Sequence, residues 1–441
     1  MIRPDVAPPA PWSFPVPERA ALANGLDVLL FHRPGQHVIS AGLVLDLPLG
    51  VEPRGLEGVA TLALRCLDEG TRTHPGLSFS EALESEGAAL AASAGLSATQ
   101  VFLDVPARRL ERALPLLAEA VIEPTLAVAD VERHRDLRLA EIEQARANSA
   151  QRAGLEFRRA TIDPASRAAR AAGGEADSVA AITPGDVRRF HATHYGPGPG
   201  TLILAGDFAA DPLPAIEAAF GGWSVATPAV AHERPAAAPP RLLVIDRPGA
   251  VQADVRIGRL GIGRGDPRWA ALQIGTFALG GAFLSRLNKV LREERGYTYG
   301  VHVVNQPFRE GGLSTLQGSF RTEVTGAAVA EALALLDVTS APFATSEISD
   351  AIAYAVGVAP LRYATASGVT EQVAGLAAAG LGPEYVDDYT EALRGVTPET
   401  ATAAVGELLP PSGLSIVIVG DAAVLVEDLA RAGVGDAEVL G

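Results

Sequence analysis

Apolar positions follow two rhythms along this chain. Short apolar runs at 28–31, 38–47 and 202–205 have strand length, and 99–105 alternates apolar with polar, so each predicts a β-strand. A helical period appears at 56–67, 79–86 and 110–121, where Leu110, Leu114, Leu117 and Val121 form one stripe. Pro115 stands inside that last segment and opposes an unbroken helix. Residues 130–150 are densely charged and predict a single long helix. Thr183 and Pro184 supply the N-cap and first-turn residues of another. Strands and helices in this order, closing on a hydrophobic strand, predict an α+β sandwich with helices packed on a sheet.

The pattern then repeats. Pro34-Gly35 returns as Pro248-Gly249, Thr183-Pro184 as Thr397-Pro398, and Gly206-Asp207 as Gly420-Asp421, each pair 214 residues apart. Three anchors at one offset predict two homologous domains, each a mostly antiparallel sheet covered by helices. The expected boundaries are 1–225 and 242–441, joined by a linker at 226–241 that is rich in Pro and Ala and has no periodicity.

Composition narrows the partners. The 441 residues are 48% hydrophobic and 20% charged, enough for large cores. A formal net charge of -16 argues against nucleic acid or an anionic membrane and favours a basic or extended peptide. One cysteine, Cys66, lies in an apolar run, which excludes an internal disulfide and predicts a small buried side chain. The first residues show no signal-peptide core or amphipathic leader, and no apolar run reaches membrane-spanning length, so a soluble cytoplasmic protein is expected. Of the eight histidines, His32, His37, His74 and His232 are expected to face solvent, while His134 and His302 stand alone. His191 and His194 are spaced like a ligand pair but have no carboxylate base nearby.

Two segments carry a family resemblance. Asn24-Gly25-Leu26-Asp27-Val28, followed by Gly58-Val59-Ala60-Thr61-Leu62-Ala63-Leu64-Arg65-Cys66-Leu67-Asp68-Glu69-Gly70-Thr71, resembles the opening strand and signature helix of the insulinase (pitrilysin, inverzincin) metallopeptidase family. In that family the helix carries H-x-x-E-H, whose two His, one turn apart, bind zinc while the Glu activates water. This chain has Thr61, Leu64 and Arg65 at those three positions, and Glu141 where the family places its third ligand. Thr is a poor zinc ligand, Leu is no base, and Arg brings positive charge to a cation site. The resemblance therefore implies a degenerate site, no metal bound by this chain, and no peptidase activity of the chain alone.

The second half resembles the family's other active-site element. Leu279-Gly280 and Ser285-Arg286-Leu287 lead into Leu291-Arg292-Glu293-Glu294-Arg295-Gly296-Tyr297-Thr298-Tyr299. In active members an Arg and a Tyr at this spacing hold the substrate carbonyl and stabilise the oxyanion, which assigns those roles to Arg292 and Tyr299. A guanidinium and a phenol are both donors suited to developing negative charge. Some bacterial members are similar heterodimers in which one chain brings zinc and the other the Arg/Tyr pair. The resemblance thus implies a zinc-free partner of a homologous zinc-binding chain, acting together on unstructured peptides such as leader peptides. A purely structural or peptide-binding subunit and an unfamiliar hydrolase stay open as alternatives. Gly280-Gly281 lacks the rest of a phosphate loop, and no G-x-S-x-G elbow is present.

Overall fold

A computed structural model describes residues 12–441. Residues 1–11, on which the expectation of no leader rests, lie outside it. The first sheet comprises β1 (Glu18–Ala21), β2 (Leu26–His32), β3 (Val38–Leu45), β4 (Ala89–Ala94), β5 (Thr99–Pro106) and β6 (Gly200–Gly206). The second comprises β7 (Leu242–Asp246), β8 (Gln252–Gly261), β9 (Thr298–Phe308), β10 (Gly311–Arg321), β11 (Ser415–Gly420) and β12 (Glu438–Leu440). Their orders are β1-β2-β6-β3-β5-β4 and β12-β7-β11-β8-β10-β9. Both sheets are mostly antiparallel; β2 with β6, β7 with β11 and β7 with β12 are the parallel pairs. The order is the same in each sheet from β2 and β7 onward, so the repeat of 214 in the sequence is a repeat of topology.

The helices around these sheets include α1 (Val59–Arg65), α2 (Leu77–Glu86), α3 (Leu110–Ile122), α4 (Val128–Ala147), α5 (Ser149–Thr161), α6 (Pro184–His194), α7 (Trp269–Gly280), α8 (Thr345–Arg362), α9 (Ala366–Ala378) and α10 (Pro398–Leu408). α6 and α10 start at equivalent residues, and both are held by a capping box, on Thr183 with Asp186 and on Thr397 with Thr400. Pro115 is accommodated inside α3 without ending it. α1 is shorter than its periodicity suggests, because Gly58 sits at φ +107, outside helical space, and the helix begins only after it.

The charged run 130–150 is not the single helix expected. Asn148 adopts an extended conformation (φ -88, ψ 115), and its side chain accepts from the Gln151 backbone N–H to start α5. Asn favours this capping role over a helix interior, which is the physical reason for the break. The second domain has the same arrangement: α8 ends and Thr365 caps α9.

The break redirects the chain. α5 leaves its own domain and packs on β8 and β11 of the second sheet, with Ala153, Phe157 and Ala160 against Leu243, Ile245, Val417 and Val419. α9 crosses the other way, lying on β3 and β6 of the first sheet with Val369 and Val373 against Leu29, Phe31, Val44 and Ile203. The opposite sheet faces carry the main cores, built in the first domain on Val28, Leu30, Leu43, Leu202 and Leu204. Consecutive residues of one strand thus feed two cores, which is why these strands read as continuous apolar runs. Cys66, the C-cap residue of α1, is fully buried, and burial pushes its thiol up to about 12.

Candidate functional site

α1 is fixed by a buried carboxylate. Glu52 Oε1 accepts from the backbone N–H groups of Gly58 (2.9 Å) and Ala60 (3.0 Å), at the positive end of the helix. Its Oε2 accepts from Arg167 Nη2 (2.7 Å) and Nε (2.9 Å). The side chains of Arg167 and Glu52 are 5% and 0% exposed. Burial raises the Glu52 carboxyl above its ordinary range, with Arg167 acting against that rise.

Three of the four degenerate-motif positions, Thr61, Arg65 and Glu141, come together. Arg65 Nη1 and Nη2 donate to Glu141 Oε1 and Oε2, each at 2.8 Å, in a bidentate pair. Arg138, one turn before Glu141 on α4, donates to Glu141 Oε2 at 3.1 Å. These donors, Arg65 above all, hold the Glu141 carboxyl below its usual range. Thr61 lies one turn before Arg65 and lines the same cavity, while Leu64 is buried. A zinc ion would need electron-pair donors where Arg65 presents N–H groups, and both Glu141 oxygens already face that guanidinium. The residues present do not fit zinc. Among the described residues no cluster of three His, Cys, Asp or Glu has the geometry of a metal site.

The histidines differ from expectation at three positions. His232 is hydrogen-bonded to Asp46 at 2.7 Å with only 11% of its side chain exposed, so it does not point into solvent, and His74, about a third exposed, is held by Glu119 at 2.8 Å. His134 does not stand alone; it contacts Glu69 at 2.7 Å. In each case the partner lies 45 or more residues away in sequence, beyond what local pattern reports. His191 packs under α3 with Nε2 at 2.8 Å from the Val121 carbonyl, and burial lowers its pKa; it stacks on Tyr195 rather than pairing with His194.

Thr61 and Arg65 open onto a cavity of about 860 Å³ between the domains, walled by α4, α5, the loop 171–175 and strands β8, β9 and β10. Its lining includes Arg158 and Arg256, neither of which belongs to a motif visible in the sequence. A signal for Arg256 was present: it alternates with Val255 and Ile257 in β8, so it had to project onto the sheet face opposite the core.

Arg292 and Tyr299 lie elsewhere. Neither lines this cavity. Arg292 is in a π-helical turn, Lys289–Glu294, with its guanidinium 3.5 Å from the centre of the Phe283 ring and bonded through Nε and Nη2 to Glu293 Oε1 (2.9 and 2.6 Å). Tyr299 is at the start of β9, the edge strand of the second sheet, and is 95% exposed. Phe283 and Leu284 nearby are 72% and 73% exposed. No helix among the described residues is long and apolar enough to cross a membrane.

Comparisons with known proteins agree on one family. The profile "Insulinase (Peptidase family M16)" matches residues 27–168, and "Peptidase M16 inactive domain" matches 181–353. An uncharacterized zinc protease of Mycobacterium tuberculosis is 29% identical over 316 residues, covering 69% of this chain and 70% of that protein. The mitochondrial-processing peptidase subunit beta of Mus musculus is 26% identical over 199 residues, 45% of this chain and 40% of that one. The crystal structure of a peptidase M16 inactive domain from Pseudomonas fluorescens has the same fold, with a TM-score of 0.86 at 25% identity over 92% of this chain and 98% of that one.

Proposed function

We propose, from the premise that this chain belongs to the insulinase (M16) peptidase family, that it is the zinc-free partner subunit of a heterodimeric zinc metalloendopeptidase. In this reading it works in the cytoplasm beside a homologous chain that carries the metal. It contributes Arg292 and Tyr299 to the substrate carbonyl and part of a chamber for unstructured peptides. The observation that carries the reading is the placement of Tyr299. Tyr299 is 95% exposed on edge strand β9, and that strand packs against the π-helical turn that carries Arg292, so its phenol is accessible to a group from another chain. The bidentate Arg65–Glu141 pair supports the other half of the reading, since it puts a guanidinium, and no electron-pair donor, against the Glu141 carboxylate.

Zinc held by the partner chain would supply the activated water. This chain's Arg292 guanidinium would release Glu293, and with the Tyr299 phenol donate to the carbonyl oxygen as negative charge grows there. The test compares hydrolysis of an unstructured peptide by this chain, by an intact H-x-x-E-H chain of the same genome, and by their mixture. Activity only in the mixture, reduced tenfold or more by Arg292→Ala or Tyr299→Phe while the complex persists, is the expected result. A mixture indifferent to both substitutions would reduce this chain to a structural or peptide-binding subunit. Hydrolysis by this chain alone would overturn the reading.

A further inference from the structure

The inter-domain cavity has a charge opposite to that of the chain around it. In a protein of formal net charge -16, seven arginines and two glutamates line this one space. Most of those arginines are neutralised locally. Arg65 and Arg138 share Glu141, Arg159 lies between Glu156 and Glu175, and Arg146 pairs with Glu143.

Arg152 donates to the main-chain oxygen of Gly441 (3.1 Å), which leaves Arg158 and Arg256. Arg158 Nη1 donates to the Ala168 carbonyl (3.1 Å) and Nη2 to Gln306 Oε1 (3.2 Å), with its guanidinium 5.8 Å from the Phe308 ring centre. Arg256 Nη1 donates to the Val255 carbonyl and Nη2 to the Ala150 carbonyl, both at 2.9 Å. Among the described residues neither forms a salt bridge with a carboxylate, although the chain carries more acids than bases. Burial lowers the pKa of both groups; Arg167 adds to the effect at Arg158, and Asp254, two positions before Arg256 on β8, opposes it at Arg256 without bonding to it. Two partly desolvated cations whose hydrogen-bond acceptors are all neutral, with Asp254 offsetting only part of the charge at Arg256, create a field that an anion in the chamber would relieve.

We propose that this chamber binds the acidic segment of an extended peptide, with Arg158 and Arg256 as the cations that select its carboxylates. The size and the walls favour a peptide over a small anion. A volume of about 860 Å³ far exceeds one carboxylate or phosphate, and the Val304 and Gln306 side chains of edge strand β9 line it. An edge strand offers unpaired backbone groups to an added strand, and alternate side chains of that strand would then face the arginines. The overall acidity of the protein pointed toward a basic peptide; the local charge of the chamber reverses that preference.

The inference rests on the proposed function only in taking the occupant to be a peptide. Its test is binding by this chain alone, without cleavage, so the two fail separately. Three unstructured labelled peptides of equal length, rich in Glu, in Ser/Gly or in Lys, are titrated at low salt and followed by fluorescence anisotropy. The Glu-rich peptide should bind at least tenfold tighter than the neutral one, the Lys-rich peptide should not bind, and the preference should fade with added salt. Arg158→Gln combined with Arg256→Gln should abolish the preference. Because those residues are partly buried, Gln306→Glu serves as the second variant. It places a carboxylate beside Arg158 with almost no change of shape, and should weaken Glu-rich binding tenfold while the protein melts no lower than wild type. Equal affinity for all three peptides, a preference for the Lys-rich one, or no binding at all would overturn the inference. So would inorganic phosphate displacing the Glu-rich peptide at concentrations equal to the peptide's own, which would mark a small-anion site.

Discussion

Restoring metal ligands at two positions should turn the Arg65–Glu141 pair into a zinc site. The perturbation is Thr61→His with Arg65→His, which places two imidazoles one turn apart on α1 with Glu141 already facing the second. The lost ion pair is bidentate but partly solvated, with side chains 31% and 41% exposed, so its removal should cost only about 1 kcal/mol. Zinc at a hundred times its dissociation constant then adds about 2.7 kcal/mol. For a domain of this size that corresponds to a rise in melting temperature of roughly 5–10 °C. The assay is thermal unfolding with and without zinc, together with metal analysis after gel filtration. Wild type and Arg65→His alone should show no zinc-dependent shift, and adding Glu141→Gln to the double variant should remove it. A double variant that is folded, holds no zinc and melts at the same temperature in its presence would refute the idea that Arg65 occupies a metal position.

Arg167→Met should be the most damaging single change near the site, costing about 3–5 kcal/mol in urea unfolding because it strands Glu52 in the interior, and Glu52→Gln in the same chain should recover much of that loss. The deficit of Arg167→Met should shrink as pH falls: without Arg167, which opposes the burial-driven rise of the Glu52 carboxyl, that group titrates higher in the variant than in wild type, so the folded variant takes up its proton first and gains stability relative to wild type until both are protonated. Glu141 works in the opposite sense, since its folded pKa is depressed; the stability from its pairing with Arg65 is present above its ordinary value, is lost as pH falls through the folded value, and should be missing from the acid limb of an Arg65→Met stability profile. Asn148→Ala removes the cap of α5 and should cost about 1 kcal/mol by chemical denaturation. Tyr299→Phe should leave the unfolding free energy within about 0.5 kcal/mol of wild type, because the residue is exposed.

The duplicated architecture was legible because its signals are local. The capping residues Thr183 and Thr397, the Pro-Gly turns and the doubly buried strands all announce themselves within a few residues. The crossing of α5 was not, although Asn148 stood in plain view. A cap residue within a charged run competes with the helix around it, and only the Gln151 N–H it captures decides the outcome. The motif positions could be read from the sequence, but their pairing could not. Thr61, Leu64, Arg65 and Glu141 stand out in the sequence, yet the guanidinium–carboxylate clasp joins residues 76 apart. The couples of His74, His134 and His232 escaped for the same reason. Arg158 and Arg256 become conspicuous only when their neighbours are seen to lack a carboxylate.

The reciprocal crossing of α5 and α9 sets an order for synthesis. When Gly206 leaves the ribosome every strand of the first sheet exists, but the helix that covers its second face is not finished until Ala378. At 5–20 residues per second, Leu29, Phe31, Val44 and Ile203 wait roughly ten to thirty seconds without their cover. During that interval a sheet with one bare apolar face is exposed to every other nascent chain in the cell. The second sheet has no such interval, because α5 has been made before its first strand appears. Slowed translation between 206 and 378 should therefore favour aggregation, whereas slowing after 378 should not.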